Sequence, residues 1–191
     1  MRTSMRLVLL GAPGSGKGTQ AKLLKEEFKI PHISTGDLLR AAVAAKTELG
    51  LAAKVVMDKG ELVSDEIVLG MLKERLAEDD ANEGYILDGF PRNLVQADML
   101  DSLLNEIKMP AEHAVLIAVD PEEVVGRIAK RALEEGRSDD TEEVVRDRIK
   151  IYDTQTAPVV DHYRKHEILS EVLGQGSVDQ VQKRILSVLR F

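Results

Sequence analysis

The sequence predicts an α/β fold in which a parallel β-sheet is covered by helices on both faces. Short apolar runs alternate along the chain with segments in which apolar residues recur at helical spacing. Several of these helical segments also begin with residues typical of helix N-termini. Because consecutive parallel strands must be joined by crossovers, this alternation indicates a parallel sheet whose strands are buried on both sides.

The predicted strands are three clear apolar runs and one weaker run. The clear runs cover residues 6–10, 85–87 and 113–119, the weaker one covers residues 168–172, and a further short apolar segment precedes residue 34. The helical patterns between them cover residues 17–28, 64–76, 93–106, 121–133, 141–163 and 177–189. Since no fixed-period repeat, low-complexity tract or long linker interrupts the alternation, residues 1–191 are predicted to form a single domain.

Two helix starts are marked clearly. Asp120 precedes Pro121, and Glu123 follows at the third helical position, which is typical of an N-cap, an N1 proline and a capping-box partner. Ser177 and Gln180 repeat the capping-box spacing. Ligands of parallel sheets bind beyond the carboxyl ends of the strands, so the loops after the apolar runs are the places where a site is expected.

The composition excludes several classes of protein. The chain is 43% hydrophobic and 31% charged, as soluble globular proteins are, and its net charge of −7 argues against general affinity for nucleic acid or anionic membranes. It has no cysteine, which excludes disulfides, a Cys-ligated zinc and a thiol nucleophile. The apolar run at residues 7–10 is too short for a signal peptide or a membrane span. We expect a cytoplasmic protein.

The strongest motif is GAPGSGKGT, residues 11–19, between the first predicted strand and the first helix. Glycines allow a tight turn whose N–H groups point inward to phosphate oxygens, and the helix N-terminus adds a partial positive charge. Lys17 supplies a full charge, and the Thr19 hydroxyl is suited to a magnesium ion. The hydroxyl comes one residue later than in the general pattern, because Gly18 follows the lysine. The motif predicts a nucleoside triphosphate site.

Two further motifs bear on the acceptor of the phosphate. STGDLLR covers residues 34–40, and DGFPR covers residues 88–92 at the end of another strand. Taken alone, Gly36 and Asp37 could form an ordinary turn and helix cap, and Arg40 and Arg92 could be solvated. An Asp at a strand end followed by Pro-Arg more specifically suggests an acid near a P-loop magnesium and an arginine directed at phosphate.

Taken together, the three motifs make the chain resemble the adenylate kinases. GAPGSGKGTQ, STGDLLR and DGFPRN with Gln96 match that family in order and at compatible spacing, and the resemblance continues to the QGSVD stretch around Gly176. It implies a P-loop NTPase fold and reversible, Mg²⁺-dependent transfer of the terminal phosphate of ATP to AMP, giving two ADP. The implied partners are therefore ATP, AMP and ADP, with neither nucleic acid nor membrane.

The resemblance also implies a role for each motif residue. ATP would be bound by Gly14, Ser15, Gly16, Lys17, Gly18, Thr19, Arg127, Arg131 and Gly176. AMP would be bound by Thr35, Arg40, Glu61, Leu62, Val63, Gly89, Phe90, Pro91, Arg92, Gln96, Arg137 and Arg148. The catalytic residues would be Lys17, Arg92, Arg131, Arg137 and Arg148, and Mg²⁺ would be held by Thr19 and, through water, by Asp88.

The choice of base rests on two residues. The Gln96 amide can accept a hydrogen bond from the exocyclic amine of adenine and donate one to the adjacent ring nitrogen. Pyrimidine monophosphate kinases, a similar family, usually have Ala at the Thr35 position and Asn at the Gln96 position. A pyrimidine kinase and a slowly hydrolysing P-loop switch remain the alternatives, although a switch has no use for a second phosphate site with Arg40 and Arg92.

The segment between residues 127 and 148 contains six basic and seven acidic residues, so composition alone favours a solvated helix surface. Bringing two phosphate chains together nevertheless requires charge neutralisation, for which arginine is well suited. Family resemblance implies that Arg127 packs on the ATP adenine while Arg131, Arg137 and Arg148 reach the phosphates.

Two mobile parts are implied by the same resemblance: an AMP-binding flap over residues 34–63 and a short lid over residues 131–141. The lid is too short for the four metal ligands that longer lids sometimes carry and contains no cysteine, so we expect no zinc site. The four histidines, His32, His113, His162 and His166, are expected to pack or to face solvent. Since no long heptad seam demands assembly, a monomer is expected.

Overall fold

The computed structural model describes residues 4–59, 63–135 and 141–189. Within these residues, five parallel strands form one sheet in the order β2-β3-β1-β4-β5. The strands are β1 (Met5–Leu10), β2 (His32–Ser34), β3 (Gly84–Asp88), β4 (His113–Ala118) and β5 (Leu169–Leu173). The predicted fold class is therefore confirmed.

The helices of the described residues lie mostly where the sequence predicts them. They are α1 (Lys17–Phe28), α2 (Thr35–Ala45), α3 (Glu48–Asp58), α4 (Asp65–Leu76), α5 (Leu94–Glu106), α6 (Pro121–Glu135), α7 (Glu142–Ile151), α8 (Ala157–Lys165) and α9 (Val178–Val188). A 3₁₀ turn covers Asp79–Ala81. The Asp120 N-cap is confirmed, since its carboxylate accepts from the Glu122 N–H, but Glu123 pairs with Arg127. Ser177 and Gln180 form the predicted reciprocal capping box.

One predicted helix differs from the observed structure. Residues 141–163 were expected to form a single helix, but a π-helical segment, Tyr152–Thr156, separates α7 from α8. Pro158 stands in the first turn of α8, where it has no N–H to bond the carbonyl four residues earlier. The widened turn before it accommodates that loss.

Both faces of the sheet are buried, as the apolar composition of β1 requires. Met5, Leu7 and Leu9 pack in a cluster with α1 and α9. Val8 and Leu10 belong to a second cluster with α4, α5 and α8 on the opposite face. Because side chains of a strand alternate between faces, a central strand with helices on both sides must be apolar at nearly every position.

A third, smaller apolar cluster joins α6 to α7, through Val124, Ile128, Val145 and Ile149. The predicted flap at residues 34–63 contains α2 and α3, with residues 60–62 outside the described part of the chain. The predicted lid at residues 131–141 contains the end of α6, with residues 136–140 likewise outside. In the described ranges, every helix is too short or too polar to cross a membrane.

Candidate active site

The P-loop connects the end of β1 at Leu10 to the start of α1 at Lys17. Gly14 and Gly16 have φ angles of 79° and 95°, in the left-handed region that glycine adopts without strain. Gly16 is the N-cap of α1, and the first turn of that helix carries no acidic residue. The N–H groups and the positive end of the helix dipole are therefore available for an anion.

A cleft of about 370 Å³ lies above this loop, and we call it the P-loop cleft. Its walls join the P-loop to the end of β3 and to α6. They include most of the residues predicted to bind ATP, together with Asp88, which was predicted to hold Mg²⁺ through water. The predicted ATP residues among them are Gly14, Ser15, Gly16, Lys17, Gly18, Thr19, Arg127 and Arg131. The structure thus brings residues that are distant in the sequence to one place at the carboxyl edge of the sheet.

Asp88 lies at the centre of a short chain of charged groups. The Lys17 Nζ is 3.4 Å from its Oδ1 atom, and the His32 Nε2 is 3.1 Å from its Oδ2 atom. Only 15% of the Asp88 side chain is exposed. These contacts hold the carboxylate in the wall of the P-loop cleft, which Thr19 also lines.

The pKa of Asp88 lies below its ordinary value despite the burial of the side chain. Burial alone would raise the pKa, because it disfavours the charged form. The hydrogen bond from His32 and the positive charge of Lys17 together outweigh burial and lower it. Asp88 is therefore an ionised carboxylate at neutral pH, which suits a hard divalent cation.

A second cleft of about 460 Å³ adjoins the first, and we call it the Arg92 cleft. It is lined by the loop after β3 and by the α7–π-helical region, including Lys17, Gly89, Phe90, Pro91, Arg92 and Arg148. Lys17 lines both clefts. The two clefts therefore meet at the Lys17 side chain.

The Arg92 loop is held by bonds to its own backbone. The Arg92 Nε donates to the Gly89 carbonyl at 2.7 Å, and the Thr156 hydroxyl donates to the Arg92 carbonyl at 2.8 Å. The Phe90–Pro91 peptide bond is cis. These contacts hold the loop beside the cleft through the Nε and the backbone of Arg92. The two terminal guanidinium nitrogens of Arg92 can therefore donate hydrogen bonds to a ligand.

Gln96 is oriented by two polar contacts. Its Oε1 accepts from the Arg92 backbone N–H at 2.8 Å, and its Nε2 donates to the Asp65 Oδ1 at 2.8 Å. Since a backbone N–H can only donate and a carboxylate can only accept, the amide has one orientation. One N–H and one oxygen lone pair remain, which is the pair that adenine requires.

Thr35 opens α2 beside Gly89, since a Cβ atom added to Gly89 would lie 3.8 Å from the Thr35 Oγ1. Arg40 does not join the Arg92 cleft in this structure. It instead forms an exposed ion pair with Asp37, one helical turn earlier. Val63 lies in the loop before the Ser64 N-cap of α4.

Arg127 lies between the P-loop and the loop after β5. Its guanidinium donates to the Gly174 carbonyl at 2.8 Å and to the Ser15 carbonyl at 3.5 Å, and it pairs with Glu123. Gly176, two residues beyond Gly174, has a φ of 103°, and the loop continues into the α9 capping box. Three of the predicted residues, Glu61, Leu62 and Arg137, lie outside the described residues.

Two residues of the site were missed by the sequence analysis. His32 was expected to pack or face solvent, and its Nε2 also donates a hydrogen bond to the Asp88 carboxylate, 56 residues away. The side chain is packed, with 15% of it exposed, but its partner depends on strand register: His32 lies opposite Ile86, and Asp88 is two residues further along the same face of β3. Asp65 follows the N-cap of α4, and a position at a helix start is all that the sequence shows of it. Its contact with Gln96 joins residues 31 positions apart.

Fold and site together define a P-loop nucleotide-binding protein with two adjoining clefts. A model of the adenylate kinase family matches residues 9–168. The chain is 56% identical over 186 residues to the adenylate kinase of Stenotrophomonas maltophilia (strain K279a), covering 97% of this chain and 100% of that protein. It is 58% identical over 181 residues to that of Xanthomonas campestris pv. campestris (strain B100), covering 95% and 97%.

This similarity extends over nearly the whole chain. A further adenylate kinase, from Xanthomonas euvesicatoria pv. vesicatoria (strain 85-10), is 56% identical over 185 residues, covering 97% of this chain and 99% of that protein. The chain belongs to the adenylate kinase family. It is therefore a phosphotransferase, and the predicted family assignment is confirmed.

Proposed function

We propose that this chain transfers the terminal phosphate of Mg²⁺-bound ATP to AMP, giving two ADP, and that the reaction takes place where its two clefts meet. The observation that carries the proposal is the position of Lys17, which lines both the P-loop cleft and the Arg92 cleft. A single P-loop site would explain the first cleft only. Two adjoining clefts with cationic walls fit a donor and an acceptor nucleotide placed end to end.

ATP would occupy the P-loop cleft. Its phosphates would accept hydrogen bonds from the N–H groups of residues 14–19 and would neutralise the charges of Lys17 and Arg131. The base would lie toward Arg127 and Gly176, because Arg127 spans the space between the P-loop and the loop after β5. Planar guanidinium groups stack well on aromatic rings.

AMP would occupy the Arg92 cleft. Its phosphate would be bound by Arg92 and Arg148, whose side chains line that cleft, and its adenine by the remaining N–H and lone pair of Gln96. Thr35, Val63 and the Gly89–Pro91 backbone would complete the walls. Glu61, Leu62 and Arg137 keep their proposed roles on the strength of the family resemblance, and Arg40 would have to release Asp37 to reach the phosphate.

The residues of the P-loop cleft fit a magnesium ion. Asp88 is a buried, ionised carboxylate, and Thr19 lines the same cleft, so oxygen donors of the kind that Mg²⁺ prefers are present. When bound, the ion neutralises charge on the phosphates. Asp88 would hold it through water, and Lys17, whose Nζ is 3.4 Å from Asp88 here, would contact the transferred group.

The chemical step needs positioning and charge more than acid–base catalysis. An AMP phosphate oxygen, already ionised near neutral pH, bonds to the terminal phosphorus of ATP while the bond to the bridging oxygen breaks and leaves ADP. Lys17, Arg92, Arg131, Arg137 and Arg148 would stabilise the charge on the oxygens in the transition state. The flap and the lid would close over both nucleotides and exclude water, which could otherwise accept the phosphate. A monomer in the cytoplasm stays a prediction.

The test compares acceptors in parallel. Phosphoryl transfer from Mg·ATP to AMP, CMP, UMP and GMP is measured, with Lys17→Ala as the inactive control. We expect ADP with AMP alone and loss of turnover in the control. Preference for CMP or UMP would contradict the roles of Thr35 and Gln96, and ATP hydrolysis indifferent to any monophosphate would contradict the kinase assignment and favour a nucleotide switch.

Arg92→Ala tests the meeting point of the clefts. The variant should lose several orders of magnitude in kcat, because the transferring group would lose a charged contact made in a water-excluded site. Its far-UV circular dichroism should be unchanged, since Arg92 is exposed and outside the apolar clusters. Near-normal turnover would contradict the assigned role.

A further inference from the structure

Away from both nucleotide clefts, one acidic and two histidine side chains converge between α5 and α8. Asp101 projects from α5, while His162 belongs to α8 and His166 follows its end. Their ligand atoms all lie within 4.8 Å of one another. We propose that Asp101, His162 and His166 bind a divalent transition-metal ion such as Zn²⁺.

The distances between the ligand atoms of the three side chains are close to those that a bound ion requires. The His162 Nε2 is 2.6 Å from the Asp101 Oδ2, and the His166 Nε2 is 3.9 Å from the same atom. Two ligand atoms that each lie about 2.0–2.1 Å from a tetrahedral ion are about 3.3 Å apart. The first contact must therefore open and the second close by less than an ångström. The two histidine ligand atoms, which lie within 4.8 Å of each other, must approach by at most about 1.5 Å, which rotation of the exposed His166 side chain supplies.

Each histidine ring directs its Nε2 atom toward Asp101 and its Nδ1 atom toward another group. The His166 Nδ1 is 2.7 Å from the His162 carbonyl oxygen, which can only accept, so Nδ1 carries the proton and Nε2 has the free lone pair. The His162 Nε2 donates to the Asp101 Oδ2 at 2.6 Å, so a bound ion would take the place of that proton, and the His162 Nδ1 lies 3.7 Å from the Asp98 carboxylate. Metal-binding histidines characteristically donate their other N–H to a carbonyl or a carboxylate.

The three side chains differ in how far they are buried. His162 is 9% exposed and Asp101 has a half-buried side chain, whereas 55% of the His166 side chain is exposed. An ion would therefore have a largely buried pair of ligands, an exposed third one and an open side for water, which matches a three-ligand site. The expectation of no zinc site concerned the short lid, and the site proposed here lies elsewhere, where the four-residue spacing of His162 and His166 is its signal in the sequence.

A bound metal ion would join α5 to α8, two helices that both begin beside the Arg92 loop. Asn93 caps α5 immediately after Arg92, and the Thr156 hydroxyl at the start of α8 bonds the Arg92 carbonyl. An ion between Asp101 and the two histidines would fasten the same helices further along. Its expected effect is stabilisation of the folded chain, because an ion that binds only the folded state raises the unfolding temperature.

The test uses the full, nucleotide-free chain after treatment with a chelator. Calorimetric titration with ZnCl₂ should show one site per chain, and zinc should raise the thermal midpoint relative to EDTA. Co²⁺ should give a visible absorption spectrum of tetrahedral type. His166→Asn, at an exposed position, should weaken zinc binding by at least about tenfold, since even loss of an outer-shell partner commonly costs 10–100-fold.

Glu167→Gln is the matched control, because it removes a neighbouring exposed charge but no ligand. It should retain zinc affinity and the cobalt spectrum, whereas Asp101→Asn should weaken zinc binding by at least about tenfold, as His166→Asn does. Absence of a site in the unmodified chain would overturn the proposal. Binding that persists in both ligand variants would also overturn it and would assign the metal to scattered surface carboxylates.

Discussion

At the scale of single residues, the site depends on contacts that constrain side chains before any nucleotide binds. Lys17 and His32 hold Asp88 from two sides, and Asp65 and the Arg92 backbone hold the Gln96 amide. A side chain oriented in advance loses less conformational freedom on binding. Residues that never touch a nucleotide can therefore determine how well it is recognised.

Asp65→Ala should weaken recognition of AMP. Without the carboxylate, the Gln96 amide can rotate and lose the orientation that adenine requires. We expect the KM for AMP to rise about tenfold, in line with a hydrogen bond to a charged group, while kcat is preserved and selectivity over CMP falls. Steady-state kinetics with both acceptors measure this.

Glu66→Ala is the matched control for that change. Both acids stand in the first turn of α4, so both variants lose a similar interaction with the helix dipole. Only Asp65 contacts Gln96. Equal KM values for the two variants would show that the helix terminus, and not the amide orientation, is responsible.

The lowered pKa of Asp88 should appear in the acid stability of the chain. A carboxylate whose pKa is lower in the folded state adds stability above its unfolded pKa of about 3.9, and this stability is lost as the pH falls through the folded-state pKa. The free energy of unfolding of the unmodified chain minus that of Asp88→Asn should thus be constant at neutral pH and decrease below about pH 4. Urea denaturation from pH 3 to pH 7 measures it.

His32→Phe provides the companion measurement. It removes the hydrogen bond that lowers the pKa of Asp88 and leaves the burial that raises it. The acid loss of stability that Asp88 causes should then be smaller than in the unmodified chain and should be complete at a higher pH. If the free energy of unfolding of the unmodified chain minus that of Asp88→Asn instead increased toward acid pH, the lowered pKa of Asp88 would be contradicted.

At the scale of elements, the helices owe their bounds to local chemistry that the sequence displays. Ser64, Asn93, Thr141 and Ser177 each accept a backbone N–H as the N-caps of α4, α5, α7 and α9. The π-helical segment before Pro158 was not predicted, because the apolar spacing of residues 141–163 continues through it. Contacts such as His32–Asp88 depend on strand order, which periodicity does not specify.

Lys29→Gly should stabilise the end of α1. Lys29 lies just past the helix with φ 56° and ψ 38°, a left-handed conformation in which a side chain is unfavourable. Its ion pair with Glu26 is 3.7 Å long and largely exposed, so little is lost with the side chain. We expect the free energy of unfolding to rise by about 0.5–1 kcal/mol in urea denaturation.

Lys22→Gly makes the same exchange inside α1, at another exposed position. There glycine should lower the free energy of unfolding by about 1 kcal/mol, because it costs helix propensity. Opposite signs for the two variants are the expected result. Destabilisation by both would show that the left-handed residue carries no strain worth relieving.

At the scale of the whole molecule, the sheet brings three loops that are far apart in sequence to one edge. The P-loop, the Arg92 loop and the loop after β5 all follow parallel strands and so end on the same side. The motif residues were therefore predictable from contiguous sequence, and their meeting at one edge followed from the predicted parallel sheet. That Lys17 lines both clefts depends on the packing of α6, α7 and the π-helical segment around them, which the sequence does not specify.

This arrangement predicts how the chain responds to a ligand that fills both clefts. A molecule with two adenosines joined by a polyphosphate chain should bind much more tightly than either nucleotide, because its second half binds at high effective concentration. At 100 times its Kd it should add about 2.7 kcal/mol to the free energy of unfolding, which for a chain of this size raises Tm by about 5–11 °C. Thermal denaturation with EDTA, which prevents turnover, measures the shift.

The matched control is the same polyphosphate chain carrying only one adenosine, compared at equal concentration. It can occupy the P-loop cleft and reach Arg92 and Arg148 with its phosphates, but it has no base for Gln96. The shift should be smaller with this ligand, and in Lys17→Ala it should be smaller with both ligands, because Lys17 borders both clefts. Equal shifts from the one-adenosine and two-adenosine ligands in the unmodified chain would mean that the Arg92 cleft does not bind a nucleoside.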